Sequence, residues 1–136
     1  MTHSVHDITD IDNIPYFSFE GKTYECKIFK VIDGDSIKGI IYFNNNFYKI
    51  NFRLYGIDTC ELRDKDCEKK ELAYKAKNRV EELINECTNN VVRIECKHND
   101  KYGRILAIVH IPNKNKTLND ILIEENFAKV YYGGKK

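Results

Sequence analysis

The sequence predicts a mainly β, α+β domain: a closed barrel of five short strands carrying two helices. Three observations support this. Runs rich in β-branched and aromatic residues come as a group of three and a group of two. One long amphipathic stretch separates the groups and a short one follows the second, giving the order βββ-α-ββ-α. Finally, 136 residues with 42% hydrophobic and 32% charged side chains suit one domain that buries its own core.

Residues 1–20 have no sustained periodicity and hold four acids (Asp7, Asp10, Asp12 and Glu20) with no Lys or Arg. They read as an acidic leader, packed on the domain of residues 21–136. All 22 basic residues and 17 of the 21 acids lie in that domain, leaving it at +5 while the whole chain is +1. A modest positive excess of this kind suits a polyanionic partner.

Strand one is expected at 24–32 and ends at Asp33-Gly34, a turn signal. Residues 36–43 and 47–54 make two more strands joined by the asparagines 44–46, which also fit the general Asn and Lys bias of the chain. A polar loop covers 55–66. Over 67–87 the period changes: Leu72, Ala76, Val80, Leu83, Ile84 and Cys87 recur every three or four residues, one face of a helix. Strands four and five are expected at 91–96 and 104–111, separated by a turn from His98 to Gly103. Thr117 and Asp120 form a capping signature for a second helix with a buried stripe of Leu118, Ile121 and Leu122, stopped by Asn126. Five strands with a helix after the third is the order of an OB-fold barrel, a frequent oligonucleotide binder. A small α+β sandwich would give a similar string.

No run approaches the ~18 apolar residues of a membrane helix, and the amino terminus has no basic start or apolar segment. The expectation is an intracellular protein with no membrane partner. The five cysteines (26, 60, 67, 87 and 96) are odd in number, form no C-x-x-C pair, and read as free thiols that mostly fill the core. With the four histidines they make no zinc spacing.

The remaining polar residues collect at strand ends: Asp33-Gly34-Asp35, Arg53, Asp58-Thr59-Cys60-Glu61 and Asp100-Lys101-Tyr102-Gly103-Arg104. Carboxylates with a backbone carbonyl are hard oxygen donors suited to Ca²⁺ or Mg²⁺. Two arginines offer planar forks that match phosphate oxygens. A further carboxylate can orient or deprotonate a water. Together these are the parts of a metal-assisted attack on a phosphodiester. Separately, each has a plainer role as turn former, solvated acid or surface ion pair.

The strings Val31-Ile32-Asp33-Gly34-Asp35-Ser36, Arg53-Leu54 through Asp58-Thr59-x-Glu61, and Asp100-Lys101-Tyr102-Gly103-Arg104 resemble the staphylococcal nuclease (thermonuclease) family. Leu118 through Ala128-Lys129-Val130 resembles that family's second helix and the segment after it, so the likeness spans roughly Tyr24 to Tyr132. The resemblance implies an OB barrel that cleaves DNA and RNA with little sequence preference, leaving 3′-phosphate ends. It implies Ca²⁺, with Mg²⁺ as substitute, on Asp35, Asp58 and the carbonyl of Thr59, with Asp33 nearby. Catalysis would fall to Glu61, acting on the attacking water, and to Arg53 and Arg104 on the scissile phosphate. Lys101 and Tyr102 would hold a neighbouring phosphate, and Tyr132 would lie beside the nucleotide. The expected partner is DNA or RNA, single-stranded by preference, bound by a monomer. The alternative is a nucleic-acid-binding or interaction module on the same fold, without catalysis.

Three departures stand out. Cys60 replaces the family's usual proline, and Gly134 stands where staphylococcal nuclease has a second nucleotide-contacting tyrosine. The chain ends at Lys136, before that enzyme's third helix. Ile11, Ile14, Tyr16 and Phe17 of the leader are expected to cover that side of the core.

Overall fold

The computed structural model describes residues 4–133. Seven strands and two α-helices follow in order: β1 (Thr23–Asp33), β2 (Ser36–Phe43), β3 (Asn46–Leu54), β4 (Ile57–Asp58), α1 (Cys67–Asn85), β5 (Val91–Asn99), β6 (Ile105–His110), α2 (Leu118–Glu124) and β7 (Lys129–Val130). Strands β1-β2-β3-β6-β5 close into a barrel, and β4 pairs with β7 in a separate two-stranded sheet. The predicted five-stranded barrel with two helices is the observed one. The pair β4–β7 was not expected, because two-residue strands carry no periodicity to read.

Antiparallel pairing links β1 to β2 and β5, β2 to β3, and β5 to β6. Closure comes from a short parallel contact, Phe52–Leu54 beside Ile105–Ala107. The barrel is filled by Phe52, Ile37, Ile41, Leu54, Ile94, Val92 and Val109, all essentially without solvent contact. Cys26, Cys87 and Cys96 are buried free thiols, Cys60 is half-buried and Cys67 exposed. Burial pushes the Cys26 thiol up to about 12, so it is an inert filler. A Cβ on Gly39 would lie 2.2 Å from the Cys26 sulfur, which makes glycine obligatory at that point of β2.

Helix α1 buries Ala73, Ala76, Val80, Leu83 and Ile84. Leu72, expected on that face, is instead 47% exposed, and Ala73 takes the buried place. On the same face Ala76 lies so near the barrel that a Cβ on Gly34 would come within 2.8 Å of its own, so small side chains occupy this end of the contact, and hydrophobicity alone picked the wrong neighbour. The helix starts from Asp66, whose carboxylate accepts from the N–H groups of Glu68 and Lys69. Thr117 caps α2 by accepting from Asp120 N–H at 3.1 Å, and Leu118, Ile121 and Leu122 are buried as expected. Asn119 ties α2 to the barrel: its Oδ1 accepts from Val109 N–H, and its Nδ2 donates to the carbonyls of Tyr55 and Ala107, at 2.9–3.0 Å.

The asparagine bias has a conformational use. Asn44 and Asn45 both have positive φ, as a tight hairpin turn requires, and Asn126 has φ 63° just beyond α2. Asparagine tolerates the left-handed region better than other side chains bearing a Cβ. In the leader, Ile11, Ile14 and Tyr16 are exposed, so they do not cover the core. Phe17 is 74% exposed and meets the edges of Phe19 and Phe43 at 5.2 and 6.0 Å. It is Phe19 that packs against the core. Gly134 lies outside the described residues.

Candidate active site

Three chain segments converge beside the end of the barrel: the β1–β2 turn, the β3–β4 region and the β5–β6 turn. They line an open groove of about 1330 Å³ whose wall includes Asp35, Arg53, Asp58, Glu61, Lys101, Tyr102, Arg104 and Tyr132. The β1–β2 turn is tight for a packing reason. A Cβ on Gly34 would come within 2.8 Å of Ala76 Cβ on α1 and 3.1 Å of Thr59 Cγ2. Glycine there lets α1 press against the turn, which fixes where Asp35 points.

Asp35 is 7% exposed. Its Oδ2 accepts from Thr59 N–H at 3.2 Å and from the Arg53 guanidinium at 3.4 Å, and its Oδ1 accepts from Ser36 Oγ at 3.1 Å. Arg53 is held on four sides. It donates to Asp58 Oδ1 at 3.0 Å, to the carbonyls of Ile57 and Leu54 at 3.0 and 3.3 Å, and to Asp35. Its guanidinium also lies 5.7 Å from the centre of the Tyr131 ring. Burial pushes the Asp35 carboxyl above its ordinary value, outweighing the opposing pull of Arg53, Thr59 N–H and Ser36, with Asp58 adding repulsion. One guanidinium therefore does not fully compensate this carboxylate.

Arg104 is anchored by Asp100. Its Nε donates to Asp100 Oδ2 at 2.7 Å, while the backbone N–H groups of Tyr102 and Arg104 donate to Oδ1 at 2.8 and 2.9 Å. A further Arg104 nitrogen reaches Ser36 Oγ at 3.3 Å. Lys101 Nζ and the Arg104 guanidinium both lie over the exposed Tyr102 ring, at 5.3 and 5.6 Å. The antiparallel pairing of β4 with β7 brings the carboxy-terminal segment back to this groove. There Tyr132 meets Tyr55 edge-on at 5.4 Å. The φ of +79° at Gly56, with Tyr132 2.9 Å from where a Cβ would sit, requires glycine.

Glu61 is exposed, and its Oε2 accepts from Arg63 Nε at 2.9 Å. The hydrogen bond and charge of Glu61 raise the Arg63 pKa, Asp33 adding to this. Asp33 also accepts from Leu62 N–H at 3.4 Å, linking the Glu61 loop to the β1–β2 turn. Thr59 is buried beside Gly34, and its Oγ1 has no hydrogen-bond partner among the described residues. Its side chain is thus a packing element, and its backbone N–H serves Asp35.

The structure thus gathers every expected side chain except that of Thr59 around one groove. Sequence reasoning left four participants unassigned: Asp100, Ser36, Arg63 and Tyr131. Asp100 had a readable signal, since an aspartate opening a turn of the form Asp-x-x-Gly is placed to accept from the following backbone. Ser36 and Tyr131 owe their places to strand pairing, and Arg63 lies in the loop beside its partner Glu61.

The donor set can be tested against a divalent cation. Among the described residues no three His, Cys, Asp or Glu side chains are grouped to hold a metal. Asp35 and Asp58 instead share one guanidinium, and the first remains under-compensated in its burial. Two carboxylates with backbone oxygen are hard donors that fit Ca²⁺ or Mg²⁺ in an open site completed by water.

The sequence model of the staphylococcal nuclease homologue family matches residues 51–136. The chain belongs to that family. The sequence is 32% identical to a protein of Methanocaldococcus jannaschii described only as uncharacterized, over 93% of this chain and 68% of that protein. It is 30% identical to endonuclease YncB of Bacillus subtilis over 87% of this chain. It is also 30% identical to the SPbeta prophage-derived endonuclease YokF of the same organism over 76%. The chain spans 53% and 33% of these two endonucleases, so each is considerably longer. No described helix is long and apolar enough to cross a membrane.

Proposed function

We propose that this domain is a nuclease that hydrolyses phosphodiester bonds of DNA and RNA with low sequence specificity, using Ca²⁺, or Mg²⁺ in its place. One observation supports this above the rest. The Ser36 hydroxyl joins Asp35 at 3.1 Å to Arg104 at 3.3 Å, so both arginine forks and the Asp35–Asp58 pair form one connected cluster. Family membership and the two relatives named endonucleases point the same way.

The ligands would be Asp35, Asp58 and the Thr59 carbonyl, and the ion would polarise a phosphate oxygen as a Lewis acid. Glu61 takes a proton from the attacking water as its oxygen bonds to phosphorus. Arg53 and Arg104 hold two oxygens of the phosphate as it becomes five-coordinate and gains charge. The bond to the 5′ oxygen then breaks and that oxygen takes up a proton from solvent water, while Glu61 returns its own proton to solvent, which gives 3′-phosphate and 5′-hydroxyl ends. Lys101 and Tyr102 steady the next phosphate, and Tyr132 lies against the nucleotide. All these contacts fall on phosphate, sugar or a base face, which explains low sequence preference. A monomer suffices, since one chain supplies every group.

The deciding experiment is cleavage of single-stranded DNA with Ca²⁺, with Mg²⁺ and with chelator, alongside Glu61→Gln. Metal-dependent cutting that fades in the variant is expected. No cutting under any condition, with oligonucleotide binding intact, would establish a binding module instead.

A further inference from the structure

The groove does not end at Arg53. In the β2–β3 ladder Ser36 faces Arg53, Lys38 faces Asn51, Ile40 faces Lys49, and Tyr42 faces Phe47. Side chains alternate along a strand, and Ile37, Gly39 and Ile41 are buried, so these four rows share the outer face of the barrel. β1 adds Lys27 beside Ile40 and Lys30 beside Lys38. Its register skips at Phe29, a bulge that leaves both Phe29 and Lys30 exposed.

The rows form a graded surface. Lys38 and Asn51 line the groove itself. Beyond them Lys49 Nζ lies 5.5 Å from the centre of the Phe29 ring. At the far end the rings of Tyr42 and Phe47 meet at 5.1 Å, 56% and 75% exposed. From Arg53 to Phe47 is six residues of strand, about 20 Å. Residues 36–54 contain no Asp or Glu. Exposed aromatic rings in a cluster mark an interaction surface.

We propose that this outer face of β1–β3 is a track for single-stranded DNA or RNA leading out of the groove. The lysines 27, 30, 38 and 49 take phosphates, and Phe29, Tyr42 and Phe47 stack bases. The inference rests on the nuclease reading and extends its footprint from one or two phosphates to several nucleotides. Along β2 and β3 the charge is of one sign, interleaved with rings and continuous with Arg53 and Arg104, and exposed Glu25 of β1 is an acid at the margin of the face; this pattern fits a single strand.

The test compares a trinucleotide with a mixed-sequence 15-mer of single-stranded DNA, using the full chain and the triple variant Y42A/F47A/K49A. The expected result is a fall in kcat/KM of about ten-fold or more on the 15-mer, with the trinucleotide within about two-fold of the parent. The double variant Y42W/F47W keeps the rings and should retain the 15-mer rate, which separates stacking from any general loosening of the hairpin. K30A/K49A should flatten the slope of log K against log salt by about 1.4 for the 15-mer. Equal loss on both substrates, or no loss on the 15-mer, overturns the track and leaves the nuclease reading intact. If the parent cuts neither substrate yet binds the 15-mer, and the triple variant does not, the track stands and the nuclease reading falls. A triple variant with undiminished DNA binding but altered sedimentation would mark the face as a contact between copies and overturn the proposal.

Discussion

The two walls of the groove are built in opposite ways. On the barrel wall, Arg53 is fixed by two carboxylates and two carbonyls, and its partner Asp35 is almost wholly buried. On the loop wall, Glu61 is half-exposed and paired with an Arg63 side chain that is 87% exposed. The first arrangement fixes the guanidinium in place, and a phosphate gripped by its fork would take over donors now given to Asp35, Asp58 and the two carbonyls. The second leaves the group proposed to handle the water tethered mainly by Asp33 to Leu62 N–H. On the proposed reading, phosphate binding would rest on a guanidinium positioned by the barrel, and proton transfer on a loop that substrate would help to order.

The sharpest way to break that contrast is to remove chemistry without touching structure. Glu61→Gln should cut turnover by about 10²–10⁴-fold, yet change unfolding free energy by less than about 0.5 kcal/mol, since its one ion pair is exposed. Affinity for Ca²⁺ and for nucleotide should be nearly unchanged. A loss of Ca²⁺ binding in titration would instead make Glu61 a ligand and merge the two walls into one.

Arg53→Met probes the opposite wall, where structure and function coincide. Removing the guanidinium strands Asp35, so stability in urea should fall by about 3 kcal/mol and turnover by about 10²–10³-fold. Adding Asp35→Asn should restore part of the stability and none of the activity. Additive losses would mean that the two side chains are not coupled.

These walls were unequally legible in the sequence. The barrel, both helices and the order of the elements followed from periodicity and turn residues, and the strand ends gave the polar residues that line the groove. Leu72 misled because helix-face hydrophobicity does not encode how closely two surfaces approach; Gly34 and Ala76 do, but only together and 42 residues apart. The shared hydrogen bonds of Ser36 and the arrival of Tyr131 and Tyr132 depend on register and on the two-residue pair β4–β7, neither of which leaves a periodic trace. The exposed leader shows the same limit: its apolar residues looked like a missing piece of core, and only Phe19 is one.

Asp100 sits between the extremes, a charged anchor on a turn. Burial works against its ionisation, but the N–H groups of Arg104 and Tyr102 and the Arg104 side chain outweigh it, so its carboxyl lies below the ordinary 3.8. A depressed folded value means that ionised Asp100 stabilises the fold above the unfolded value, and that this contribution is lost as pH falls through the folded one. Asp100→Asn should lower turnover roughly 10–100-fold by freeing Arg104. The stability gap between parent and variant should narrow between pH 7 and pH 3 in urea unfolding. Arg104→Lys, which keeps charge but loses the fork, should impair cleavage with a smaller effect on stability. A pH-independent gap for Asp100→Asn would show that the turn holds Arg104 without its charge.

The smallest change addresses the loop wall directly. Cys60 lies between buried Thr59 and exposed Glu61, and among the described residues no hydrogen bond uses its N–H. Its φ is not among the positive ones either. A proline there removes no bond and narrows the unfolded ensemble, so Cys60→Pro should stabilise by about 0.4–1 kcal/mol if the native φ is compatible. If the loop wall is loose for want of that constraint, the same substitution should raise turnover with KM nearly constant, because it orders Glu61 and leaves the phosphate grip alone. A stabilised variant with unchanged turnover would instead mean that the ordering of Glu61 is set elsewhere, and Asp33, which holds the next residue but one along from Cys60, would be the place to look.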